Sequence, residues 1–296
     1  MPSFLMSFTY GSCVFFGHTN NDSTAGGARV TFESGAYVAL GNRLRGVPEV
    51  ITLGVKPNFF DYTPAERDLI FGAKIVLYPT DNYAQFFMTL GKAIFPSLET
   101  CLYSDDKIKQ TTLFNMLGIP HPTTRFYYHL HHGEVLKDWG FPFIVKKPRA
   151  SAQGRGVFKI ENREQLECYL RVNSIAYIQE FIPHERDLRV ILVNYEPILA
   201  YWRTRRPESF RTNVYQGGSI SFDDIPEEGI ALAKEAARKC RFNDAGLDLL
   251  PHNGKWYVLE ANMKYGRRGL GMKGLDLKEA IRRKLLSGEL FPDLRR

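Results

Sequence analysis

Residues 246–262 read GLDLLPHNGKWYVLEAN, a stretch with the pattern of a β-hairpin whose arms carry polar oxygens. Leu, Trp, Tyr and Val fill both arms, and the letters HNG between them are typical of a tight turn. The same arms also hold Asp248, Glu260 and Asn262. A buried carboxylate costs free energy unless a cation or a metal ion lies beside it. The hairpin therefore poses the question of what its oxygens bind.

The register of the hairpin decides whether these oxygens meet. Glu260 and Asn262 are two residues apart, so they share one face of their strand. A two-residue turn at 253–254 pairs Asp248 with Leu259 and sends the Asp248 carboxylate to the other face. An odd loop, or a bulge with the glycine left-handed, pairs Asp248 with Glu260 instead. Only that second register brings together three oxygen-bearing side chains that suit Mg²⁺. The spacing fits equally well an ordinary strand alternation in which the polar residues face water.

If the two carboxylates share a face, their charges repel when no metal lies between them. We therefore expect at least one of Asp248 and Glu260 to have a raised pKa in the metal-free protein.

The composition is that of a soluble globular protein of two or three domains. The chain has 296 residues, 44% hydrophobic and 24% charged. No apolar run is long enough to span a membrane, and no Lys or Arg precedes Arg29, so the start lacks the basic region of a secretory signal. The four cysteines are far apart in the sequence and match no metal or redox spacing. We expect reduced thiols and a cytoplasmic location.

The positive charge of the chain is concentrated near its C-terminus. The net charge is +7, and residues 264–296 hold ten Lys or Arg against four Asp or Glu, a net +6. The segment DLKEAIRRKLL predicts an amphipathic helix with Leu277, Ile281 and Leu285 on one face. A solvated basic helix face is the favoured interpretation, and RNA binding through this region is the alternative. Nucleic acid is not the favoured partner, because the sequence has no basic stripe interleaved with aromatic residues.

Strand and helix patterns divide the chain into an α/β part and an α+β part. Residues 1–35 show no sustained period. From Val50, strands alternate with helices, which predicts a small parallel α/β domain. A helix then begins with Ser104 as its N-cap and ends at Gly118. In the second half, antiparallel strands with packed helices predict an α+β layout.

A glycine-bearing loop, residues 148–156, lies between two predicted strands. The preceding strand ends in Lys146 and Lys147, and the following strand spans residues 157–160. This is a hairpin, so it differs from the strand–loop–helix arrangement of a P-loop. Backbone N–H groups of such a loop, flanked by Lys and Arg, can cover phosphates, although a glycine-bearing hairpin loop is more often only a turn.

Read in order, several motifs together resemble one family. They are Lys107, a strand lysine, the glycine loop, IQEFIPHERDLRV, WRTRRPESFRTN, AGLDLL and VLEAN. This order resembles the ATP-grasp superfamily, and within it the ribosomal-protein glutamate ligase and glutathione synthetase branch, over residues 104–269. The resemblance implies an α+β ATP-grasp fold of two subdomains, 104–175 and 176–296, the first acting as a lid. A small α/β domain, 1–103, precedes them.

The resemblance implies a role for each matching residue. Lys146 is preferred to Lys147 because the family's lysine falls four residues after a strand-opening proline, here Pro142. Main-chain groups of the QEFI segment would read adenine, and a carboxylate at 185 or 187 would take the ribose hydroxyls. The implied nucleotide-binding residues are Lys107, Lys146, Ser151, Gly154, Gly156, Glu180, Ile182, and Glu185 or Asp187. The implied ligands of one or two Mg²⁺ ions, or of Mn²⁺, are Asp248, Glu260 and Asn262. The residues implied to face the γ-phosphate and an acyl-phosphate are Arg189, Arg203, Arg211 and Asn213.

The implied activity is an ATP-dependent carboxylate–amine ligase. A carboxylate attacks the γ-phosphate of ATP, and an amine then displaces phosphate from the acyl-phosphate to form an amide. Such chemistry needs positioning and neutralisation of negative charge, which lysines, arginines and metal carboxylates supply. The substrates would be small-molecule or peptide carboxylates and amines, no membrane is involved, and a homo-oligomer is left open. An ATP-binding regulator that forms no bond is the alternative, although it would not need the metal ligands.

One departure from the family pattern concerns the residues after the hairpin. Many members follow the Asn with small residues, whereas this chain has NMKYGRRGL. Lys264, Arg267 and Arg268 would lie near the acceptor end of the site. This departure leaves ATP use intact and the identity of the substrate open.

Overall fold

The first sheet consists of four short parallel strands, in the spatial order β2-β1-β3-β4. The sequence predicts this small α/β unit but misses its strand β1. The computed structural model describes residues 35–149, 156–206, 212 and 217–291. The elements of this first region are β1 (Tyr37–Ala39), β2 (Val50–Thr52), α1 (Pro64–Gly72), β3 (Ile75–Leu77), α2 (Asp81–Thr89), β4 (Ile94–Phe95) and α3 (Leu98–Leu102).

The central sheet is antiparallel, in the order β5-β8-β6-β7. Strands β6 and β7 form the hairpin that the sequence predicts around the glycine loop. Strand β8 pairs with β5 and β6, so the predicted boundary at 175/176 coincides with the start of a strand of this sheet. The elements are β5 (Thr124–Tyr128), α5 (Val135–Asp138), β6 (Phe143–Lys146), β7 (Val157–Ile160), α6 (Arg163–Val172) and β8 (Ile175–Glu180).

The C-terminal sheet is also antiparallel, in the order β11-β10-β9-β12-β13, with the hairpin of residues 246–262 at one edge. Its central strands are almost wholly buried. The elements of this region and of the helices around it are α4 (Lys107–Met116), β9 (Arg186–Val193), β10 (Glu196–Thr204), β11 (Ser219–Ser221), α7 (Glu227–Cys240), β12 (Asp244–His252), β13 (Lys255–Asn262), α8 (Arg268–Met272) and α9 (Leu277–Leu286).

Both faces of the C-terminal sheet are covered. One face packs against α4 and α7, through residues such as Phe114 and Ala237. The other face packs against the first sheet and α9, whose Leu277, Ile281 and Leu285 are buried as the sequence predicts. The α4–α7 face carries the helix with Lys107, so this layer brings one predicted phosphate-binding lysine to the hairpin.

The predicted start of α4 is wrong by two residues. The N-cap is Asp106, whose side chain accepts a hydrogen bond from the N–H of Lys109 at 3.0 Å, and Ser104 lies in the preceding turn. Asp105 has a left-handed φ of 56°, which turns the chain before the helix can begin. The helix ends as predicted, since Gly118 follows it with a φ of 64°.

A buried charge ties the first sheet to the C-terminal sheet. The carboxylate of Asp244, 1% exposed, accepts hydrogen bonds from Tyr78 (2.9 Å), Tyr265 (2.7 Å) and Arg43 (3.2 Å). Arg43 also donates to Met263 O at 3.3 Å. Because Met263 follows the hairpin directly, this cluster fixes the chain as it leaves the predicted metal ligands.

Among the described residues, no helix combines the length and the apolar character that crossing a membrane requires.

Candidate active site

The hairpin pairs Asp248 with Glu260, which is the register that gathers the oxygens. The turn has two residues, Asn253 and Gly254, with φ of 50° and 72°. The irregularity lies inside the strand, where Leu259 is an extra residue between the Leu249 and Asp248 pairs. The predicted pairing is therefore confirmed, whereas the prediction that an odd loop or a bulge at the turn produces it is wrong.

The three polar side chains of the hairpin converge. Asn262 Nδ2 lies 3.1 Å from Asp248 Oδ2 and 3.1 Å from Glu260 Oε1. Two carboxylates and one amide offer the oxygen ligands that Mg²⁺ prefers, with room for water and phosphate oxygens. The amide would turn its oxygen inward to serve as a ligand, since O and N of an amide exchange by a flip. The residues present therefore fit Mg²⁺, even though the described residues contain no group of three His, Cys, Asp or Glu arranged for a metal.

Two lysines flank Glu260. Lys107 Nζ lies 3.7 Å from Glu260 Oε2. Lys146, at the end of β6, is 7% exposed, whereas Lys147 is exposed. Burial lowers the pKa of Lys146 to about 8, with Glu260 opposing the shift. Burial also disfavours the Glu260 carboxylate, yet Lys107 and Lys146 outweigh it and lower the pKa of Glu260 to about 2.

Two arginines approach the hairpin from β9 and β10. Arg189 grips Asp248 with two nitrogens, one of them at 2.8 Å. Arg203 binds both oxygens of Asp187 at 2.7 and 2.6 Å and reaches Asp248 at 2.9 Å. Thr212 donates to the same Asp187 at 2.5 Å. Asp187 thus holds Arg203 in place, which speaks against Asp187 as the ribose ligand and leaves the exposed side chain at 185 for that role.

The expected raised pKa is found at Asp248, although its main cause is burial. Arg189 and Arg203 oppose that shift, and Asp187 adds to it. Glu260 behaves in the opposite way, because the lysines dominate its surroundings. Repulsion between Asp248 and Glu260, the cause that the sequence suggests, is therefore not the main one.

The predicted hinge segment already uses some of its main-chain groups within the protein. The N–H of Glu180 donates to Thr123 O at 2.8 Å, and the carbonyl of Ile182 lies 2.7 Å from the His184 ring nitrogen. Base recognition would therefore fall to other main-chain groups of the same segment. At the base of the glycine loop, the carbonyl of Gly156 accepts a hydrogen bond from the Lys147 N–H. Four predicted site residues lie outside the described residues: Ser151, Gly154, Arg211 and Asn213.

A small cleft opens beside the predicted metal ligands. Of the three basic residues after the hairpin, Lys264 lines it, with its Nζ 3.1 Å from Asp105 Oδ2. Gln110 lines it too, although it belongs to none of the motifs that predict the site. Its spacing of three from Lys107 on the same helix is the signal that could have found it. The cleft is lined by Asp105, Lys107, Gln110, Glu260, Ala261, Asn262 and Lys264.

Comparison with known proteins identifies the family. The model of the RimK-like ATP-grasp domain matches residues 104–285. The probable alpha-L-glutamate ligase 1 of Hahella chejuensis is 31% identical over 212 residues, covering 67% of this chain and 68% of the relative. The coenzyme gamma-F420-2:alpha-L-glutamate ligase of Methanococcus maripaludis is 29% identical over 195 residues, covering 62% of this chain and 67% of the relative.

Solved structures support the same fold. The RimK domain ATP-grasp protein of Sphaerobacter thermophilus superposes with a TM-score of 0.64 at 18% identity, covering 84% of this chain and 98% of that one. The D-alanine–D-alanine ligase of Bacillus anthracis in complex with ATP gives a TM-score of 0.58 at 16% identity, covering 81% and 85%. The chain therefore belongs to the RimK-like ATP-grasp family and is an ATP-dependent carbon–nitrogen ligase.

Proposed function

We propose that this protein joins a carboxylate to an amine at the expense of ATP, with L-glutamate as one of its two substrates. One observation carries the proposal. Side-chain oxygens of the kind that bind Mg²⁺ and cations of the kind that bind phosphate converge at one hairpin. The cations are Lys107, Lys146, Arg189 and Arg203, and the carboxylates are Asp187, Asp248 and Glu260. Four positive and three negative charges leave a net +1, which suits a triphosphate that arrives with Mg²⁺.

The hairpin and the lysines would bind the phosphates. Asp248, Glu260 and Asn262 would hold one or two Mg²⁺ ions, or Mn²⁺ in their place. The bound ion would neutralise charge that develops on the transferring phosphoryl group. Lys107 and Lys146, the two cations that act on Glu260, would neutralise phosphate charge next to the bound ion.

The arginines would act at the reacting end. Arg203 pairs with both Asp187 and the predicted metal ligand Asp248. From there its guanidinium would contact the γ-phosphate and the substrate carboxylate. A planar guanidinium suits both groups, because each presents two oxygens. Arg211 and Asn213 follow β10 in the sequence and would complete this end.

The remaining assignments concern the rest of the nucleotide. Ser151, Gly154 and Gly156 would cover the phosphates, and main-chain groups around Glu180 and Ile182 would read adenine. Glu185 would take the ribose hydroxyls, since Asp187 is engaged by Arg203.

The preference for glutamate comes from the names of the relatives. Two of them are called alpha-L-glutamate ligases, and one of these names a coenzyme as the partner of the glutamate. The second substrate would be a small molecule or a peptide.

The test is ADP formation from ATP and Mg²⁺ across a panel of L-amino acids, paired with small acids and peptides. We expect ADP to form only when a carboxylate and an amine are both present, with glutamate in the active pairs. Glu260→Gln should reduce turnover by about 100-fold or more, as loss of a group that stabilises transition-state charge does. ADP formation that no substrate pair increases would favour the ATP-binding regulator. Normal turnover in Glu260→Gln would remove the metal assignment.

The same variant has a stability signature. Because Lys107 and Lys146 lower the pKa of Glu260 from its ordinary 4.5 to about 2, the ionised carboxylate stabilises the folded protein above pH 4.5. That stabilisation disappears as the pH falls towards 2. Glu260→Gln should therefore lower the melting temperature slightly at pH 7 without preventing folding. A variant that melts higher than the wild type at pH 7 would contradict this sign.

A further inference from the structure

Gln110 uses its side chain to imitate a neighbouring strand. It is 3% exposed, on helix α4. Its Oε1 accepts the N–H of Ala261 at 3.0 Å, and its Nε2 donates to Ala261 O at 2.8 Å. Nε2 gives its second hydrogen to Tyr103 O at 2.9 Å. One amide side chain thus satisfies both main-chain groups of a single strand residue.

The strand residue that Gln110 binds lies between two predicted metal ligands. Ala261 separates Glu260 from Asn262 on β13, which is the edge strand of its sheet. The side chain of Ala261 is 4% exposed and packs in the core, on the face opposite to its two neighbours. Ala261 is therefore fixed through its side chain by the core and through its backbone by Gln110.

Gln110 also fixes the distance between strand β13 and a lysine that is predicted to bind phosphate. It is three residues after Lys107, so both side chains leave the same face of α4. Lys107 lies 3.7 Å from Glu260 Oε2. The hydrogen bonds to Ala261 thus lock the helix that carries the lysine to the strand that carries the carboxylate.

We propose that Gln110 is a positioning residue that holds Glu260 and Asn262 in the geometry that binds Mg²⁺. The proposal rests on the proposed function, because it takes these two side chains as metal ligands. Supporting groups that orient metal ligands commonly change metal affinity by about 10–100-fold when they are removed.

The variant Gln110→Met keeps the length of the side chain and removes all three hydrogen bonds. Its matched control is Thr100→Val. Thr100 is 2% exposed and accepts the N–H of Asn243 at 3.0 Å, directly before β12, and it does not line the cleft. Both variants lose buried hydrogen bonds to residues in or directly before strands of the same sheet, so both should melt below the wild type.

The readout is the Mg²⁺ concentration that gives half of the rise in melting temperature caused by saturating ADP and Mg²⁺. We expect Gln110→Met to need about tenfold more Mg²⁺ than the wild type, and Thr100→Val to need the same amount as the wild type. Equal Mg²⁺ requirements in the two variants would overturn the proposal. A structural role alone would lower both melting temperatures and leave both Mg²⁺ requirements unchanged.

Two further measurements keep the outcome readable. If Gln110→Met does not fold, amide exchange in the wild type decides. The Ala261 N–H should be as protected as the N–H of Val258, which donates to Pro120 O at 2.8 Å on the same strand edge. Exchange of Ala261 at the rate of an open edge amide would overturn the proposal. Glu260→Gln should abolish the Mg²⁺ dependence of the shift, and if it does not, the metal assignment itself is wrong.

Discussion

Lys146 is a predicted phosphate-binding residue whose charge changes close to neutral pH. Burial lowers its pKa to about 8 from the ordinary 10.5, so the free protein loses this charge as the pH rises through 8. Only the protonated lysine attracts phosphate. The dissociation constant of ADP with Mg²⁺ should therefore rise by up to about tenfold per pH unit above 8, and calorimetry at pH 7, 8 and 9 measures this.

The neighbouring lysine provides the control for that pH profile. Lys147 is exposed, so Lys147→Ala should keep both the affinity and its pH dependence. Lys146→Met should bind weakly at all three pH values with a flat profile. If the Lys147 variant is the one with the flat profile, the assignment of the phosphate-binding lysine is wrong.

Arg203 tests whether the geometry of a guanidinium matters at the reacting end. Its fork spans Asp187 and Asp248, and a lysine ammonium cannot make the paired bonds. Arg203→Lys should reduce kcat by about tenfold or more while the dissociation constant of ATP stays within about twofold, as expected for a group that acts mainly in the transition state. An equal loss of ATP affinity would assign Arg203 to the nucleotide instead.

At the residue scale, the sequence identifies candidate site residues better than it predicts what those residues contact. The choice of Lys146 over Lys147 as the phosphate-binding lysine follows from its spacing to Pro142 and from the family resemblance. The partnership of Asp187 with Arg203 does not follow, because it depends on the pairing of two strands across the turn at 194–195. A carboxylate in a strand could equally face water or a ribose.

In the hairpin, the residues that form the turn differ from the residue that sets the strand register. Asn253 and Gly254 form the left-handed turn, whereas the bulge at Leu259 produces the pairing of Asp248 with Glu260. A sequence predicts the turn from its letters, because Asn-Gly favours left-handed backbone. A bulge inside a strand has no comparable signal, since the extra leucine suits any apolar strand.

The turn should therefore affect stability without affecting the metal site. Gly254→Ala places a Cβ on a residue with a φ of 72°, which should cost about 1 kcal/mol and lower the melting temperature by about 2–4 °C. The Mg²⁺ requirement for ADP binding should not change. Gly133→Ala is the matched control, because Gly133 has no left-handed φ and a Cβ added there would meet no atom within 4 Å beyond the adjacent residues. Equal melting temperatures for the two variants would contradict the role of the turn.

At the scale of the whole molecule, the layers follow from patterns but the contacts between them do not. The alternation of strands and helices predicts the first sheet, and the apolar stripe of α9 predicts its buried face. The buried cluster at Asp244 was not predictable in this way, because Arg43 lies 201 residues earlier in the chain. Polar contacts between layers depend on how the sheets stack, and no local pattern encodes that.

The cations of the basic C-terminal helix have acidic partners within the protein. Arg282 binds Glu49, one bond being 2.8 Å, while Arg283 pairs with Glu279 and Lys284 with Glu289. Cations paired in this way attract phosphate backbones less than bare ones do. Replacing the three basic residues with alanine should lower the melting temperature and leave ATP affinity unchanged, with little RNA binding before or after.

A charge-preserving variant separates the two interpretations of this helix. Arg282→Lys with Arg283→Lys and Lys284→Arg keeps all three charges but removes the guanidinium that Glu49 binds. RNA binding through the charge of this helix should tolerate the exchange. The melting temperature should fall nearly as much as in the alanine variant, because the contact of the helix with Glu49 is weakened. Melting curves and RNA titrations at two salt concentrations measure both effects. RNA binding that is steep in salt, survives the charge-preserving exchange and disappears with alanine would favour the RNA interpretation over a purely structural helix.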